Sequence, residues 1–428
     1  VTAETALRRS GGLKRALLFS ASGTAGARLT GALGGLLAAR LLGPSGRGQL
    51  AILVFLATAA SMAAAAGVQF WVAREVARHD GVQSVLGVVR MHAFVLTGVV
   101  LVVGGLTAGL IGSLAEVGST VAWLTIGVAI TNALQLLGLA LPNGLRAMGT
   151  VAAALVIAGL LYVATMVGLL AADYASLSLV LVGMAVGNVV SIGLVLLWAS
   201  RAPRGAPSSD HGASAYLHAL RFGGPAGAGE LVLLAMLRVD VLIVAAFLPL
   251  RAVGLYAVAT AIAEVLWIIP DGVAQVVLPT TANNPAESHT PRLIRLSLVI
   301  TGVLGCVLVV VARPLVEFAF GTAFGEASVA LPLLVVASLA GGMWKIVGSE
   351  IVALGLTTPR LWSALAGLVV MVLVDLVAVH SMGIAGAALG SACGYAVAAV
   401  VVFKAWSTRA NRSTKSLLGL TACSEGVR

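Results

Sequence analysis

Charged residues are scarce in this sequence. Asp, Glu, Lys and Arg make up 10% of its 428 residues, where a soluble globular chain carries about a quarter. Aromatic residues are few as well, at 5%. An ordinary soluble domain is excluded, because too little polar surface is left to face water. Three cysteines, Cys306, Cys393 and Cys423, lie far apart and form neither a CxxC pair nor a metal-ligand spacing. A disulfide framework and a metal site are therefore unsupported, and the cysteines are expected to be inert packing residues. The six histidines are scattered, and HExxH, GxSxG, a P-loop and a GxGxxG joining strand to helix are all missing. Nothing supports a metalloenzyme, a hydrolase or an ATPase. The expectation is a protein that is not an enzyme and needs no cofactor, with any transport driven by something other than ATP bound to this chain.

What is present is apolar. Hydrophobic residues make up 60% of the chain and its mean hydropathy is +1.06. No Asp, Glu, Lys or Arg occurs between Met91 and Leu114 or between Val117 and Leu145. About 20 apolar residues cross a bilayer core as a helix. Cutting the chain at charged and Pro/Gly-rich breaks gives twelve such segments, at 16–40, 49–71, 91–112, 118–141, 151–172, 178–199, 222–247, 253–278, 293–312, 328–354, 361–380 and 384–403. Arg8, Arg9, Lys14 and Arg15 before the first resemble the basic start of a signal peptide. That apolar stretch is too long for one, so it is expected to remain as a helix. The fold expected is an all-α polytopic membrane protein with about twelve transmembrane helices.

The formal charge is +10, which in a soluble chain would raise nucleic acid as a partner. Its distribution explains it otherwise. With a cytoplasmic N-terminus, alternating spans put nineteen Lys and Arg inside and only Arg40, Arg47, Arg251 and Arg313 outside. Basic loops stay cytoplasmic, so both termini are expected on the cytoplasmic side of a membrane, with membrane lipids and no nucleic acid as surroundings. Arg28, Arg238 and Lys345 remain within spans.

The stretch from Arg201 to Arg221, containing APRGAPSSDHGAS, is the longest run of polar, Pro and small residues and separates six spans from six. It predicts an N-terminal six-helix lobe at 1–200, a cytoplasmic linker at 201–221, a C-terminal lobe at 222–403 and a basic cytoplasmic tail at 404–428. LLGPSGRGQLA at 41–51 follows the first span as FLPLRAVGLYA at 247–257 follows the seventh. Gly67-Val68-Gln69 is echoed by Gly272-Val273-Ala274-Gln275. An even number of spans separates the copies, which implies a parallel repeat about the membrane normal and two lobes able to rock about a cavity.

At these residues the sequence resembles a known family. ARLLGPSGRGQLA, GVQFWVAREVAR at 67–78, and the long segment from LRFGGPAGAGELVLLAMLRVDVLIVAAF to VAQVVLP across spans seven and eight are similar to the Wzx-type oligosaccharide flippases. These are polysaccharide transporters of the multidrug/oligosaccharidyl-lipid/polysaccharide (MOP) superfamily. The resemblance implies a MATE/MOP-like fold. It also implies a secondary transporter that carries undecaprenyl-pyrophosphate-linked sugar units from the cytoplasmic to the outer leaflet, driven by an ion gradient. Lipid II flippases of the superfamily usually have fourteen spans and the multidrug branch has its own motifs, so twelve spans and the RVD segment favour the polysaccharide branch. A polysaccharide polymerase and glycosyltransferases are possible partners on that reading.

Ionisable groups at membrane depth are costly unless they face water or a partner, so each is a functional candidate. Arg28, Arg238 and Lys345 are the candidate substrate-binding residues, because a guanidinium offers a bidentate fork to an anionic pyrophosphate. With the repeat offset of 206 (Gly254 minus Gly48), Arg238 maps to position 32, one turn from Arg28. The competing expectation is that each pairs with a carboxylate and merely holds helices. Candidates for coupling to H+ or Na+ are Asp240, Glu264, Asp271 and Asp375. Glu264 and Asp271, seven residues apart, fall within about 20° on one ideal helix, and Gln275 continues that stripe. Asp240 lies close enough to pair with Arg238 locally, and Asp375 is isolated in span eleven. Trp344 beside Lys345 could stack a sugar or simply pack. Asn132, Gln135 and Asn188 could line a cavity or join helices.

Three other functions stay open at this level. A drug/cation antiporter of the same superfamily would need an acidic, aromatic-lined pocket, which the cations oppose, and a lipid II flippase would share the anionic cargo. A membrane glycosyltransferase or polymerase would need an acidic motif on a large external loop, and the longest, around Arg313 to Ser328, is short.

Overall fold

The computed structural model describes residues 3–205, 212–283 and 290–409, apart from the side chains of the opening turns of the first helix. Among these residues all regular structure is helical, so every backbone hydrogen bond of a span closes within the span, as hydrocarbon demands. The chain forms two units, 1–231 and 232–428. The division falls within a helix, beyond the polar linker at 201–221.

The first unit holds α1 (Ala3–Ala65), α2 (Val68–Arg78), α3 (Leu86–Ala115), α4 (Ser119–Gly144), α5 (Met148–Ala171) and α6 (Leu177–Arg201). It also takes the opening turns of α7 (Ala213–Phe247). α1 contains two of the expected spans, joined across a break at Gly43, whose φ of 69° is left-handed and precedes Pro44. A second break follows at Ala66 and Gly67, with φ of 48° and 73°. α1 packs on α5, where Gly34 leaves room for the ring of Tyr162. α4 packs on α6, where Asn188 donates to Asn132 Oδ1 at 2.6 Å and to Thr131 Oγ1 at 3.3 Å. These amides act as interhelical ties in the first unit.

The opening turns of α7 are held tightly in this unit. Gly67 meets the backbone of Gly223 and Gly227, with no room for a Cβ on either side of the crossing. Around it, Trp71 meets His218 edge-on, and Arg74 lies 4.4 Å above the Phe222 ring. Buried His92 bridges Tyr216 Oη at 3.1 Å and the Ala65 carbonyl at 3.0 Å, using both ring nitrogens.

The second unit holds the rest of α7, then α8 (Leu250–Glu264), a 3₁₀ turn (Val265–Trp267) and α9 (Ile268–Asn283). α10 (Thr290–Val310), α11 (Ala312–Phe320) and a second 3₁₀ stretch (Thr322–Ala330) come next, then α12 (Leu331–Ala353), α13 (Thr357–Met382) and α14 (Ile384–Arg409). α13 and α14 pack through small residues, Gly367 against the Gly394 carbonyl and Gly386 against the Ala378 carbonyl. Pro249 opens α8 as Pro44 opens the second half of α1, at nearly the repeat offset.

Each of the twelve expected spans falls on helix. Ten helical stretches among the described residues are long and apolar enough to cross a membrane. α7, which carries Glu230, Arg238 and Asp240, is not among those ten. The surface is apolar where lipid would lie: on α3, Phe94 and Leu106 are 83% and 84% exposed, and on α10 the exposed residues include Leu296, Val299, Val303 and Val310. Cys306 is also exposed on α10, so it is not the packing residue expected. Large apolar faces of this extent are stable only against lipid or a partner. The chain is a multi-pass membrane protein.

Candidate functional site

Pro270 explains why one expected span becomes two helices. It has no N–H for the carbonyl of Leu266, four residues back, and its ring would crowd that carbonyl in a continuous α-helix. α8 therefore stops at Glu264, and α9 restarts with Pro270 in its first turn, where a missing N–H costs nothing. Gly341 and Gly342 on α12 make room for the result, the first against Trp267 and the second against Pro270.

The turn has a consequence for the carboxylates. A 3₁₀ turn is wound more tightly than an α-helix, so it rotates α9 relative to a continuous helix. Glu264 and Asp271 stand on either side of this turn. Each meets a cation on a different helix. Glu264 Oε1 lies 2.7 Å from Arg238 Nη2 on α7, with side-chain exposures of 44% and 37%. Asp271 Oδ1 accepts a hydrogen bond from Lys345 Nζ on α12 at 2.7 Å, in a more enclosed setting with exposures of 14% and 19%. Asp271 sits in the first turn of α9, where the helix dipole favours a negative charge.

Lys345 is fixed from a second side. Its Nζ lies 3.9 Å from the centre of the Trp267 ring, a cation–π contact strengthened by exclusion of water. Trp267 is itself held, donating from Nε1 to Ser338 Oγ at 3.0 Å and meeting Tyr395 edge-on at 5.2 Å. Arg238 lies about 14 Å along α7 from its end at Phe247. An ion pair that is more than a third exposed at such a position is stable only where water reaches it.

A third cluster is buried. Asp240 does not pair with Arg238 as a local partner. Its Oδ2 accepts from Tyr256 Oη at 2.5 Å and from Ser391 Oγ at 3.1 Å, and its Oδ1 from the Val241 amide at 2.8 Å. Asp375 on α13 is fully buried, and neither carboxyl oxygen has a hydrogen-bond partner among the described residues. It packs against Gly390, the neighbour of Ser391, where any side chain would overlap its Oδ1. α7, α8, α13 and α14 thus bring two carboxyl groups, a phenol and a hydroxyl to one buried place.

The remaining candidates separate from these groups. Arg28 falls on α1, but its side chain lies outside the described residues. Trp344 cannot stack a sugar, because it is 3% exposed and donates from Nε1 to Ser363 Oγ at 2.9 Å. Glu350, on the same helix as Lys345, accepts instead from Trp406 Nε1 at 2.9 Å and is fully buried. Sequence reasoning missed Trp267, Tyr256, Ser391 and Trp406 as partners. Of these only Tyr256 carried a signal, lying within the GLYA of the repeated turn.

Comparison with known proteins now decides the family. Residues 37–329 match the family described as polysaccharide biosynthesis protein, well over half of the chain. The chain belongs to that family. Curated protein sequences return no match. Among solved structures, this polysaccharide biosynthesis protein is similar to the lipid II flippase MurJ in an inward closed conformation, with a TM-score of 0.76 and 14% identity over 94% of this chain and 89% of that one. It is also similar to a multidrug resistance MATE family transporter of the MOP superfamily. The inward-facing form of that transporter gives a TM-score of 0.72 and 16% identity over 92% of this chain and 96% of that one. At such identities the likeness establishes the fold of this polysaccharide biosynthesis protein, an all-helical architecture shared with those two proteins.

Proposed function

We propose that the protein is an alternating-access flippase that moves polyprenyl-pyrophosphate-linked oligosaccharide units, with undecaprenyl as the carrier, from the cytoplasmic to the outer leaflet for cell-surface polysaccharide synthesis. The observation that carries this reading is the Arg238–Glu264 pair, a partly exposed guanidinium and carboxylate on apolar helices in a chain of the polysaccharide biosynthesis family. A pyrophosphate needs a cation that stays charged when partly desolvated, and Arg supplies one. Lys345 is the second cation of this site, and Arg28 stays a candidate from the sequence for binding the same cargo. The protein acts in the bacterial cytoplasmic membrane with both termini inside, alongside the glycosyltransferases and polymerase that make and consume its cargo. An antiporter for organic cations is disfavoured, since Trp267, Trp344 and Tyr395 are all under 10% exposed and line no open aromatic pocket.

The drive is an ion gradient acting at Asp240 and Asp375. A buried carboxylate with no hydrogen-bond partner costs several kcal/mol, so Asp375 is held there with a proton or a Na+ ion. Asp240, Tyr256 and Ser391 supply the other oxygens. Glu264 and Asp271 serve the cations of the site, and coupling rests on the buried pair.

The test is flipping of a fluorescent polyprenyl-pyrophosphate sugar in proteoliposomes under an imposed H+ or Na+ gradient. Arg238→Ala and Lys345→Ala are expected to lower the rate at least tenfold, and Asp375→Asn to remove the response to the gradient. Wild-type rates in both cation variants would overturn the assignment of the site.

A further inference from the structure

Both described intramembrane cations already hold a carboxylate at 2.7 Å. If the anionic headgroup binds where the proposed function places it, it meets no vacant cation and must take the place of an existing counter-ion. We propose that Glu264 and Asp271 are built-in competitors for the headgroup, displaced from Arg238 and Lys345 as it binds and returning to expel it after reorientation. The inference rests on the flippase reading and adds the means of release.

Three observations support an exchange over a fixed structural pair. The two carboxylates are presented by different helices from their cations, so either pair separates without breaking a helix. Glu264 is the last residue of α8 and is followed by the 3₁₀ turn Val265–Trp267. It therefore sits where the backbone can swing its side chain with few hydrogen bonds to break. The two pairs are also graded: the Arg238 pair is open, at 37% and 44% exposure, and the Lys345 pair is closed, at 19% and 14%. An incoming headgroup meets the weaker pair first, because solvent screening leaves an exposed ion pair with little net strength. Asp240 lies two residues from Arg238 and attracts it, but its carboxyl oxygens are held by Tyr256, Ser391 and the Val241 amide, and Glu264 is the carboxylate within ion-pair distance of the guanidinium.

Exchange gives Glu264 a role opposite in sign to that of a scaffold. A scaffold orients Arg238, and its loss weakens ligand binding. A competitor occupies Arg238, and its loss tightens binding while slowing release. The experiment uses the full-length protein in nanodiscs with farnesyl pyrophosphate as the binding probe, together with the flipping assay. Glu264→Gln is expected to lower the dissociation constant about two- to fivefold, the range set by a partly exposed pair. Asp271→Asn, on the more enclosed pair, is expected to lower it on the order of tenfold. Both variants are expected to lower KM and kcat of flipping together, and Glu264→Asp to restore part of kcat. Unchanged or weaker binding in Glu264→Gln and Asp271→Asn would overturn the proposal. Should either neutral variant fail to assemble, the other and Glu264→Asp carry the same test. If the native protein and Arg238→Ala bind the probe equally, the flippase site itself is refuted, an outcome distinct from failure of the exchange.

Discussion

Gly67 offers a direct test of the crossing between α2 and the opening turns of α7. In Gly67→Ala the added methyl meets two penalties. The left-handed backbone, with φ of 73°, costs an L-residue about 1–2 kcal/mol. The Cβ would also overlap the Gly223 carbonyl and the Gly227 amide, both backbone groups that cannot rotate away. Overpacking of this kind costs about 1–3 kcal/mol. The expected destabilisation of the first unit is about 2–5 kcal/mol, the sum of the two ranges. For a unit of some 230 residues this corresponds to a fall of roughly 5–15 °C in the midpoint of thermal unfolding. Gly98→Ala is the matched comparison, since Gly98 lies inside α3 with nothing within 4 Å of its Cβ position. Helix propensity there favours Ala by up to about 1 kcal/mol, so no loss is expected. The assay is thermal unfolding of the purified protein in detergent, followed by a thiol-reactive dye and by retention of a monodisperse peak. Equal midpoints for the two variants would refute the close backbone crossing.

Buried groups in the second unit give two further expected outcomes. Trp406→Phe removes the Nε1 donor from a fully buried Glu350 and is expected to cost about 1–3 kcal/mol, read as a lower unfolding midpoint with α14 the first helix to lose hydrogen-exchange protection. Tyr256→Phe takes away the hydroxyl donated to Asp240 and is expected to raise the concentration of driving ion needed for half-maximal flipping, leaving farnesyl pyrophosphate binding intact. A change in pyrophosphate binding and none in ion dependence would place Asp240 in the cargo site instead.

The helical architecture was legible in the sequence because long uncharged runs and breaks between them are properties of single segments. The same holds for the break at Gly43 and Pro44, marked by residue types that allow little else. The ionisable residues were legible as a set, since charge within an apolar run is conspicuous wherever it points. Their partners were not. Pairing Glu264 with Arg238 and Asp271 with Lys345 joins residues on different helices, which the periodicity of a single segment does not report. Asp240 and Ser391 are 151 positions apart, a distance at which no local pattern carries information. Of the two readings open for Trp344, stacking and packing, the structure shows packing, and adjacency to Lys345 along a helix could not decide between them because neighbouring side chains point to different faces.

α7 is a single helix counted in both units, its opening turns clasped to α1, α2 and α3 and its later turns carrying Arg238 and Asp240. The covalent joint at 201–221 is therefore not what holds this helix to the first half of the chain. A gene cut between the codons for Gly205 and Gly212 would yield two fragments, and the second would carry on its own leading helix the surface by which it recognises the first. Co-expressed halves can be expected to find each other in the membrane.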